Sequence, residues 1–401
     1  MRIACVSNIS VGYGTPQILY LLRSLRELIE GTAPPTLLEI DQPERPPRHD
    51  LFPDLDITRI YTLRHPYSRE GAIQYINEAV AHLNKERPEV LVIPSTYSLP
   101  VLWLLNYAPR IVVYYVLEMP DAFGADREQL QLNRYAKKRI DVALYPEINR
   151  AKLHIDAFGY HSIPSAVVYN AIPLKKEKPV PVQERNGRIL YQGTIHDELT
   201  SAVFFLDKEV QRIPVDLYGI IDSETADFDE KIRQMNGNVR YCGYVDNKTL
   251  AEKRASYSFS IIYWNPINDN QKYACPNKFF ESLADGIPVI TAPHPQTKTL
   301  TERYGCGLIM PDWSLDSFKA TLNEALGLIH TPQYAEMVNN CRRAHIEELH
   351  WEKQFEKVKS ALTGVFSAEE RHPRYTEPSH VSQMSGEVRL TRQEQKSATL
   401  D

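Results

Sequence analysis

The sequence predicts an α/β fold made of two doubly wound parallel sheets. Short apolar runs alternate with helix-like periodicity from residue 2 onward, and a second series of the same kind begins near residue 188. Such alternation indicates parallel strands covered by helices on both faces. The length of 401 residues also exceeds what one hydrophobic core usually serves. We therefore expect two domains.

The first series gives an N-terminal domain over residues 1–173. Its strands are predicted at 2–7, 90–94, 110–117, 141–145 and 166–169, and its helices at 16–30, 72–85 and 149–158. Residues 34–53 are rich in proline and charge, so we expect an irregular surface excursion there. A polar, proline-bearing stretch at residues 170–179 marks the boundary with the second domain.

The second series gives a C-terminal domain over residues 174–350. Its strands are predicted at 188–192, 215–218, 239–241, 259–263 and 288–291, and its helices at 203–211, from 247 onward and at 277–284. An amphipathic pattern predicts one more helix at 351–366. Residues 367–401 are poor in large apolar side chains, which predicts a disordered tail.

Composition narrows the classes of function. A formal net charge of -5 offers no global attraction for nucleic acid, which we exclude as a main partner. Five scattered cysteines without a C-x-x-C pair indicate neither a disulfide framework nor a zinc site. His65, His161, His196 and His294 have no metal-ligand spacing, so each is expected to be structural. Without a recognisable export signal or membrane span, a cytoplasmic protein is expected.

The segment from Cys275 to Ile290 carries the strongest functional signal. Proline precedes a short helix, Gly286 follows it, and a buried strand comes next. The free N–H groups of such a helix start attract an anion, and Lys278 could add its charge to them. Glu281, one turn deeper, could accept hydrogen bonds from a ribose. Together they suit a nucleoside diphosphate, although both could also form a solvated surface pair.

Residues 277–290 resemble the donor-binding helix of GT-B glycosyltransferases, particularly family 4 and its relatives. The resemblance implies two Rossmann-like domains facing a cleft, a nucleotide-diphosphate sugar as co-substrate, and no cofactor or metal. It implies that Pro276 and Asn277 face the diphosphate while Glu281 holds the ribose. It also implies donor contacts in the glycine-ended strand at Gly193 and Thr194 and, beside the base, at Tyr244. The helix at 351–366 would cross back to the first domain.

Two departures from the family pattern leave alternatives open. Tyr273 stands where many members carry a second glutamate, and Thr194 stands where many carry arginine. Lys278 and Lys272 are then the candidates to neutralise the phosphates. The main prediction is a glycosyltransferase, metal-independent and retaining like the family it resembles. A sugar-nucleotide epimerase of the same fold and a catalytically silent scaffold remain alternatives.

In the N-terminal domain, Gly12, Tyr13 and Gly14 follow the first strand, where α/β proteins bind ligands. Gln17 replaces the third glycine of a dinucleotide fingerprint, which disfavours a nicotinamide enzyme. The resemblance implies that this loop lies under the transferred sugar and the acceptor. Glu118 and Asp121, at the end of a predicted strand, are the candidate catalytic carboxylates, although Glu118 could merely cap a turn.

The acceptor itself is open between a glycan, a lipid-linked molecule and a small molecule. Residues 133–139 place four basic side chains on a predicted helix of the acceptor domain: Arg134, Lys137, Lys138 and Arg139. Most such runs are solvated helix faces, but a peripheral contact with anionic lipid at the inner face of a membrane is the second interpretation. Asp54 and Asp56 superficially resemble a metal-binding acidic pair, and their proline-rich context argues against that role.

Overall fold

A seven-stranded parallel sheet forms the first half of the chain in the computed structural model, which describes residues 1–30, 33–43, 45–120, 127–222 and 226–369. The strands are β1 (Ile3–Ser7), β2 (Thr36–Ile40), β3 (Asp56–Ile60), β4 (Val90–Ile93), β5 (Ile111–Tyr115), β6 (Val142–Tyr145) and β7 (Ser165–Val167). Their order in the sheet is β3-β2-β1-β4-β5-β6-β7. The direction of winding therefore reverses between β1 and β4, and the carboxyl ends there border the ligand crevice of such sheets.

Helices cover both faces of this sheet. They are α1 (Pro16–Leu28), α2 (Arg69–Glu86), α3 (Val101–Leu104), α4 (Arg127–Ala136) and α5 (Ile148–Phe158). Local chemistry sets their ends: the Ser68 hydroxyl accepts from Gly71 N–H at the start of α2, and Gly159 ends α5 in the left-handed conformation. Buried side chains from α1 pack on one face and those from α2 on the other. Both faces are thus apolar, as parallel sheets require.

The second half forms a six-stranded parallel sheet in the described part of the chain. Its strands are β8 (Ile189–Gln192), β9 (Val215–Tyr218), β10 (Val239–Tyr241), β11 (Phe259–Ile262), β12 (Val289–Thr291) and β13 (Gly307–Ile309), in the order β10-β9-β8-β11-β12-β13. Its helices are α6 (Ala226–Arg233), α7 (Asn247–Arg254), α8 (Asp269–Lys272), α9 (Asn277–Ala284), α10 (Pro295–Tyr304), α11 (Leu315–Leu328) and α12 (Pro332–Glu347). The predicted fold class, two doubly wound α/β units, is confirmed.

The last helix, α13 (Trp351–Glu369), packs on the first sheet rather than the second. Trp351 Nε1 donates to Ser24 Oγ at 2.9 Å, and Trp351 and Phe355 belong to the same buried cluster as α1. The helix thereby joins the two halves of the chain. The predicted boundary at residue 366 is too early, because α13 continues to Glu369; the rest of the predicted tail 367–401, from residue 370 onward, lies outside the described residues.

Three sequence-based expectations about secondary structure are wrong. The supposed irregular excursion at 34–53 contains β2, an inner strand whose residues are mostly buried; the flanking prolines and charges hid a short strand with only three apolar residues. The predicted helix at 203–211 is two 3-10 turns. Asp207 causes the break, because its carboxylate accepts from the N–H groups of Glu209 and Val210 and caps a new turn.

The third error concerns the basic run at 133–139. Helix α4 ends at Ala136, and a turn follows in which Arg139 N–H donates to the Ala136 carbonyl. Arg139 then packs over the Trp103 ring at 5.8 Å and donates to the Leu102 carbonyl. At least one of the four cations is therefore committed to the fold rather than to a flat helical face.

The described residues contain neither a membrane-spanning helix nor a group of metal ligands. No helix there is long and apolar enough to cross a membrane. Nor do three or more His, Cys, Asp or Glu side chains in that part of the chain group as metal ligands would. The prediction of metal-independent chemistry stays a prediction.

Candidate functional site

A buried lysine lies at the carboxyl end of the second sheet. Lys278, in the first turn of α9, is only 7% exposed, and its Nζ lies 4.6 Å from the Tyr191 ring centroid and 5.7 Å from that of Trp264. Among the described residues it has no hydrogen-bond acceptor and no ion pair. Burial lowers the pKa of this ammonium to about 7, against an opposing influence of Glu281. An unpaired cation in such a place is costly unless a ligand neutralises it.

The lysine faces a turn made of glycine backbone. A Cβ placed on Gly193 would lie 3.9 Å from Lys278 Nζ, and Gly193 itself is exposed with φ of +123°. Gly219 abuts the same turn so closely that a Cβ there would fall 1.6 Å from the Gly193 carbonyl oxygen. Only glycine fits both places. The result is a backbone-lined space beside a cation, at the ends of β8 and β9, which suits phosphate oxygens.

Glu281 lies one turn further along α9 and is held by two side chains. Its Oε2 accepts from Gln192 Nε2 at 2.7 Å and from Arg254 Nη1 at 2.9 Å. Arg254 is buried between this carboxylate and Asp285, to whose Oδ2 it donates at 2.7 Å. Both bonds to Glu281 fall on one oxygen, and the side chain is 21% exposed. The other oxygen is thus free of protein partners among the described residues and available to a ligand.

The start of α9 is open to the same space. Pro276 is its N-cap and offers no side-chain hydrogen bond to the first turn; both Pro276 and Asn277 are half-buried. The loop before α9 is fixed by His294, which accepts from Trp264 N–H through Nε2 and therefore donates from Nδ1 to the Lys272 carbonyl. Burial lowers the pKa of His294 to about 4, so the neutral imidazole makes both bonds.

The side chains of Thr194 and Lys272, two further predicted donor contacts, are less enclosed. Thr194 is half-buried at the glycine turn, and its carbonyl accepts from the Tyr191 hydroxyl at 2.6 Å. Lys272 ends α8 with an exposed side chain, whose Nζ lies 5.3 Å from the Tyr273 ring centroid. Lys278 is thus the enclosed cation of the two lysines that the sequence singled out.

Several buried polar atoms around this region lack any partner in the described structure. They include Trp264 Nε1, Gln271 Oε1 and, from the first domain, Gln17 Oε1. Buried polar groups are almost always hydrogen-bonded in folded proteins, so clustered exceptions indicate a place that a polar ligand fills. Trp264 and Gln271 flank the loop leading to α9, and Gln17 begins the helix after the first glycine loop.

The loop that follows β1 is held in place by a buried residue of β2. Glu39 is fully buried and accepts from Val11 N–H at 2.6 Å, from Arg59 Nε at 2.6 Å and from His49. Gly12 follows with φ of +86°. Gly12, Tyr13 and Gly14 are all half-buried at the carboxyl end of β1. The loop is therefore a fixed wall of the cleft rather than a loose connection.

A cation–aromatic stack links the two domains at the mouth of the cleft. The Arg48 guanidinium lies 4.6 Å from the Tyr13 ring centroid and 5.9 Å from that of Tyr244. Tyr244, predicted to lie beside the donor base, is 42% exposed and follows Gly243 at the end of β10. The structure thus brings Tyr13 of the N-terminal loop and Tyr244 of the second domain to the same guanidinium.

Of the two candidate catalytic residues, only Glu118 lies in the part of the chain that the structure describes. Glu118 follows β5 with a half-exposed side chain, and its Oε2 accepts from Arg150 Nη1 at 3.2 Å. Arg150 also donates to the Asn270 carbonyl of α8, and Asn270 Oδ1 accepts from Met119 N–H. Glu118 therefore lies where the domains meet, and its catalytic role stays a prediction. Asp121 lies outside the described residues.

Comparisons with known proteins identify the fold. Residues 190–349 match the family model of the glucosyltransferase 3-like C-terminal domain. Sucrose-phosphate synthase from Thermosynechococcus elongatus superposes with a TM-score of 0.68 at 15% identity, covering 92% of this chain and 99% of that one. HepE from Anabaena, solved with UDP-glucose, gives 0.68 at 12% identity, covering 91% and 100%. WaaG, a glycosyltransferase of lipopolysaccharide biosynthesis, gives 0.62 at 11% identity, covering 90% and 98%.

The chain has the GT-B fold. The predicted resemblance to glycosyltransferases of this fold is confirmed, whereas membership of family 4 in particular stays a prediction. No curated protein sequence matches the chain. Gly193 and Lys278 lie side by side in this fold, Glu281 follows one turn along α9, and Tyr244 shares Arg48 with the N-terminal loop; their roles in donor binding stay predictions.

Sequence reasoning missed the residues that reach the GT-B cleft from a distance. Arg254 ends α7, 27 positions before the carboxylate it holds. Nothing marks it in the sequence, because a basic side chain in the last turn of a polar helix is expected to be solvated. Arg48 lies in the stretch that was expected to be an irregular excursion, so its contact with Tyr244 was not predicted.

Proposed function

We propose that this GT-B protein transfers a sugar from a nucleotide-diphosphate sugar to a hydroxyl of an acceptor. The observation that carries the proposal is the unpaired, buried ammonium of Lys278 beside the Gly193 turn. A diphosphate is the ligand that would neutralise this charge and accept from the start of α9 at once. HepE has been solved with UDP and with UDP-glucose, so UDP is the first nucleotide to test.

The residues around that phosphate position are proposed to hold the rest of the donor. The free oxygen of Glu281 is available for a ribose hydroxyl, and Arg254 with Gln192 fixes its direction. Tyr244, with an exposed ring at the cleft mouth, is placed to pack on the base. Pro276, Asn277 and Thr194 border the phosphates, and Lys272 is the second cation within reach of the loop.

The chemistry follows from what these groups can stabilise. In transfer, the acceptor oxygen bonds to the anomeric carbon as the bond from that carbon to the diphosphate oxygen breaks; the leaving diphosphate gains negative charge and takes up the proton of the acceptor hydroxyl. Lys278 and the start of α9 are aimed at that developing charge, which is the largest contribution that a fixed site usually makes. We propose that no metal is needed for this step and that the configuration is retained, with Glu118 near the sugar or the acceptor hydroxyl.

Replacing Glu281 with Ala tests the ribose assignment. Loss of a charged hydrogen bond should weaken UDP binding by about 1.5–3 kcal/mol. The same change should abolish the preference for UDP over 2′-deoxy-UDP, because that preference would come from the contact to the ribose diol. Isothermal titration with both nucleotides measures the two effects in one series.

Glu302→Ala is the matched control, since Glu302 is an exposed glutamate on α10. Equal discrimination between the two nucleotides by wild type and Glu281→Ala would place the ribose elsewhere. Binding of no nucleoside diphosphate by the wild-type chain would favour a silent scaffold. Interconversion of the donor sugar without an added acceptor would identify an epimerase instead.

A peripheral membrane contact through Arg134, Lys137, Lys138 and Arg139 stays a secondary proposal. It would help an enzyme whose acceptor is lipid-linked, because anionic headgroups attract such clusters. The packing of Arg139 against Trp103 commits that cation to the fold, so the test concerns Arg134, Lys137 and Lys138. Liposome co-sedimentation that is unchanged after neutralising those three would remove this proposal.

A further inference from the structure

Three tyrosines run from the core of the first domain to its surface at the carboxyl end of the sheet. Tyr75 is fully buried, Tyr97 is half-buried and Tyr67 is 48% exposed. The ring centroids of Tyr75 and Tyr97 are 5.8 Å apart, and those of Tyr97 and Tyr67 are also 5.8 Å apart, an edge contact in the second case. We call these three residues the tyrosine ladder.

Each hydroxyl of the tyrosine ladder is already used inside the protein. Tyr75 donates to the Ser7 carbonyl at 2.7 Å, Tyr97 to the Pro66 carbonyl at 2.5 Å, and Tyr67 to the Asn8 carbonyl at 2.8 Å. The Tyr67 hydroxyl also accepts from Gln42 Nε2 at 2.7 Å. The outermost ring is therefore fixed through its polar end, and what it offers to solvent is aromatic surface.

The ladder stands where a ligand of the first domain would bind. Asn8 follows β1 and leads into the loop of Gly12 and Tyr13, and Gln42 follows β2. The loop that carries Tyr67, residues 61–68, thus lies across the carboxyl ends of neighbouring strands, at the crevice of a doubly wound sheet. The same loop exposes two more large apolar side chains, Tyr61 at 64% and Leu63 at 92%.

We propose that the 61–68 loop is the acceptor subsite, with Tyr67 as its stacking ring, and that the acceptor presents a sugar ring to it. This inference rests on the proposed function, since it names the class of acceptor for that reaction. A pyranose has one face of C–H groups and a rim of hydroxyls. It therefore matches a rigid, half-exposed aromatic ring bordered by polar backbone and by His65, whose ring lies 5.9 Å from that of Tyr67.

A purely structural role would not require this arrangement. Tyr75 belongs to the large hydrophobic cluster of the first domain and Tyr97 packs against that cluster, whereas the Tyr67 ring meets Tyr97 through an edge contact. A half-exposed ring gains only part of its burial free energy when the chain folds. The exposed part is buried only when a ligand covers it. Removing the ring should therefore affect acceptor binding more than folding.

The test uses the full chain saturated with UDP and a panel of methyl glycosides of glucose, galactose and N-acetylglucosamine, with maltose, cellobiose and lactose. Saturation-transfer difference NMR should detect binding of at least one saccharide. Tyr67→Ala should raise the dissociation constant of that saccharide by about tenfold, the equivalent of one lost aromatic contact of about 1.4 kcal/mol. Tyr67→Phe keeps the ring and its contacts with Tyr97 and His65 but loses the two hydroxyl bonds, so it should lose clearly less saccharide affinity than Tyr67→Ala.

Tyr135→Ala, at another exposed tyrosine of the first domain, should behave as wild type. The proposal is overturned if no saccharide binds, if Tyr67→Ala binds saccharide like the wild type, or if Tyr67→Ala weakens UDP to the same extent as saccharide. UDP binding by the wild-type chain keeps the two ideas apart. A wild-type chain that binds UDP but no saccharide would sink the acceptor subsite, whereas a wild-type chain that binds no UDP would sink the proposed function.

Discussion

Lys278→Met should abolish measurable UDP binding and, at the same time, raise the thermal stability of the unliganded chain. Removing one partner of a buried charge pair typically costs 2–5 kcal/mol of binding, and here the diphosphate would lose its only enclosed cation among the described residues. In the absence of ligand, the same substitution should stabilise the folded chain. An apolar side chain of similar length removes an ammonium that is 7% exposed and has no anionic partner.

The stabilisation should be smaller than the loss of binding. The Tyr191 and Trp264 rings already offset part of the cost of the buried ammonium, by roughly 1–2 kcal/mol. A net gain of about 1–3 kcal/mol is expected, measured as a higher unfolding midpoint near neutral pH. UDP should then raise the midpoint of the wild type and leave that of the variant unchanged.

Lys298→Met is the matched control, because Lys298 is a half-exposed lysine on α10 that pairs only loosely with Glu302 at 3.9 Å. It should change neither quantity measurably. A Lys278→Met protein that binds UDP as tightly as the wild type would show that the diphosphate lies elsewhere. A variant that is less stable than the wild type would show that the ammonium has a partner that its surroundings do not reveal.

The local structure around the candidate site could be predicted from the sequence. The start of α9 and the glycine-ended strand before Gly193 are encoded by nearby residues. Glycine where backbone meets backbone, and proline where a helix begins, have direct physical causes that a sequence displays. The fold class followed in the same way from the alternation of apolar strands and amphipathic helices.

Long-range partners could not be predicted. Arg254 and Gln192 approach Glu281 from α7 and β8, and Glu39 reaches Val11 from a strand that composition had hidden. Each of these is a polar side chain in an ordinary sequence context, whose burial depends on how the sheet is ordered. The error over residues 34–53 is an example. A stretch dominated by proline and charge contained the strand whose glutamate holds the loop of the cleft.

The affinity for a donor should fall as pH rises above about 7. Burial lowers the pKa of Lys278 from 10.5 to about 7, whereas a bound diphosphate would favour the charged ammonium and return its pKa toward the ordinary value. Binding then takes up close to one proton at alkaline pH. Between pH 7 and pH 9 the dissociation constant should rise by roughly fiftyfold, approaching tenfold per pH unit.

UDP-glucose suits this measurement better than UDP, because a phosphate second ionisation with a pKa of about 6 would add its own pH dependence to UDP. Titration calorimetry in two buffers of different ionisation enthalpy counts the protons taken up.

The stability of the unliganded chain tests the same pKa independently. The unfolded chain binds more protons than the folded one between pH 7 and pH 10.5, so the stability of the unliganded wild type should rise across that range. Lys278→Met should lack that rise, and an affinity for UDP-glucose that is level from pH 7 to pH 9 would separate Lys278 from the diphosphate.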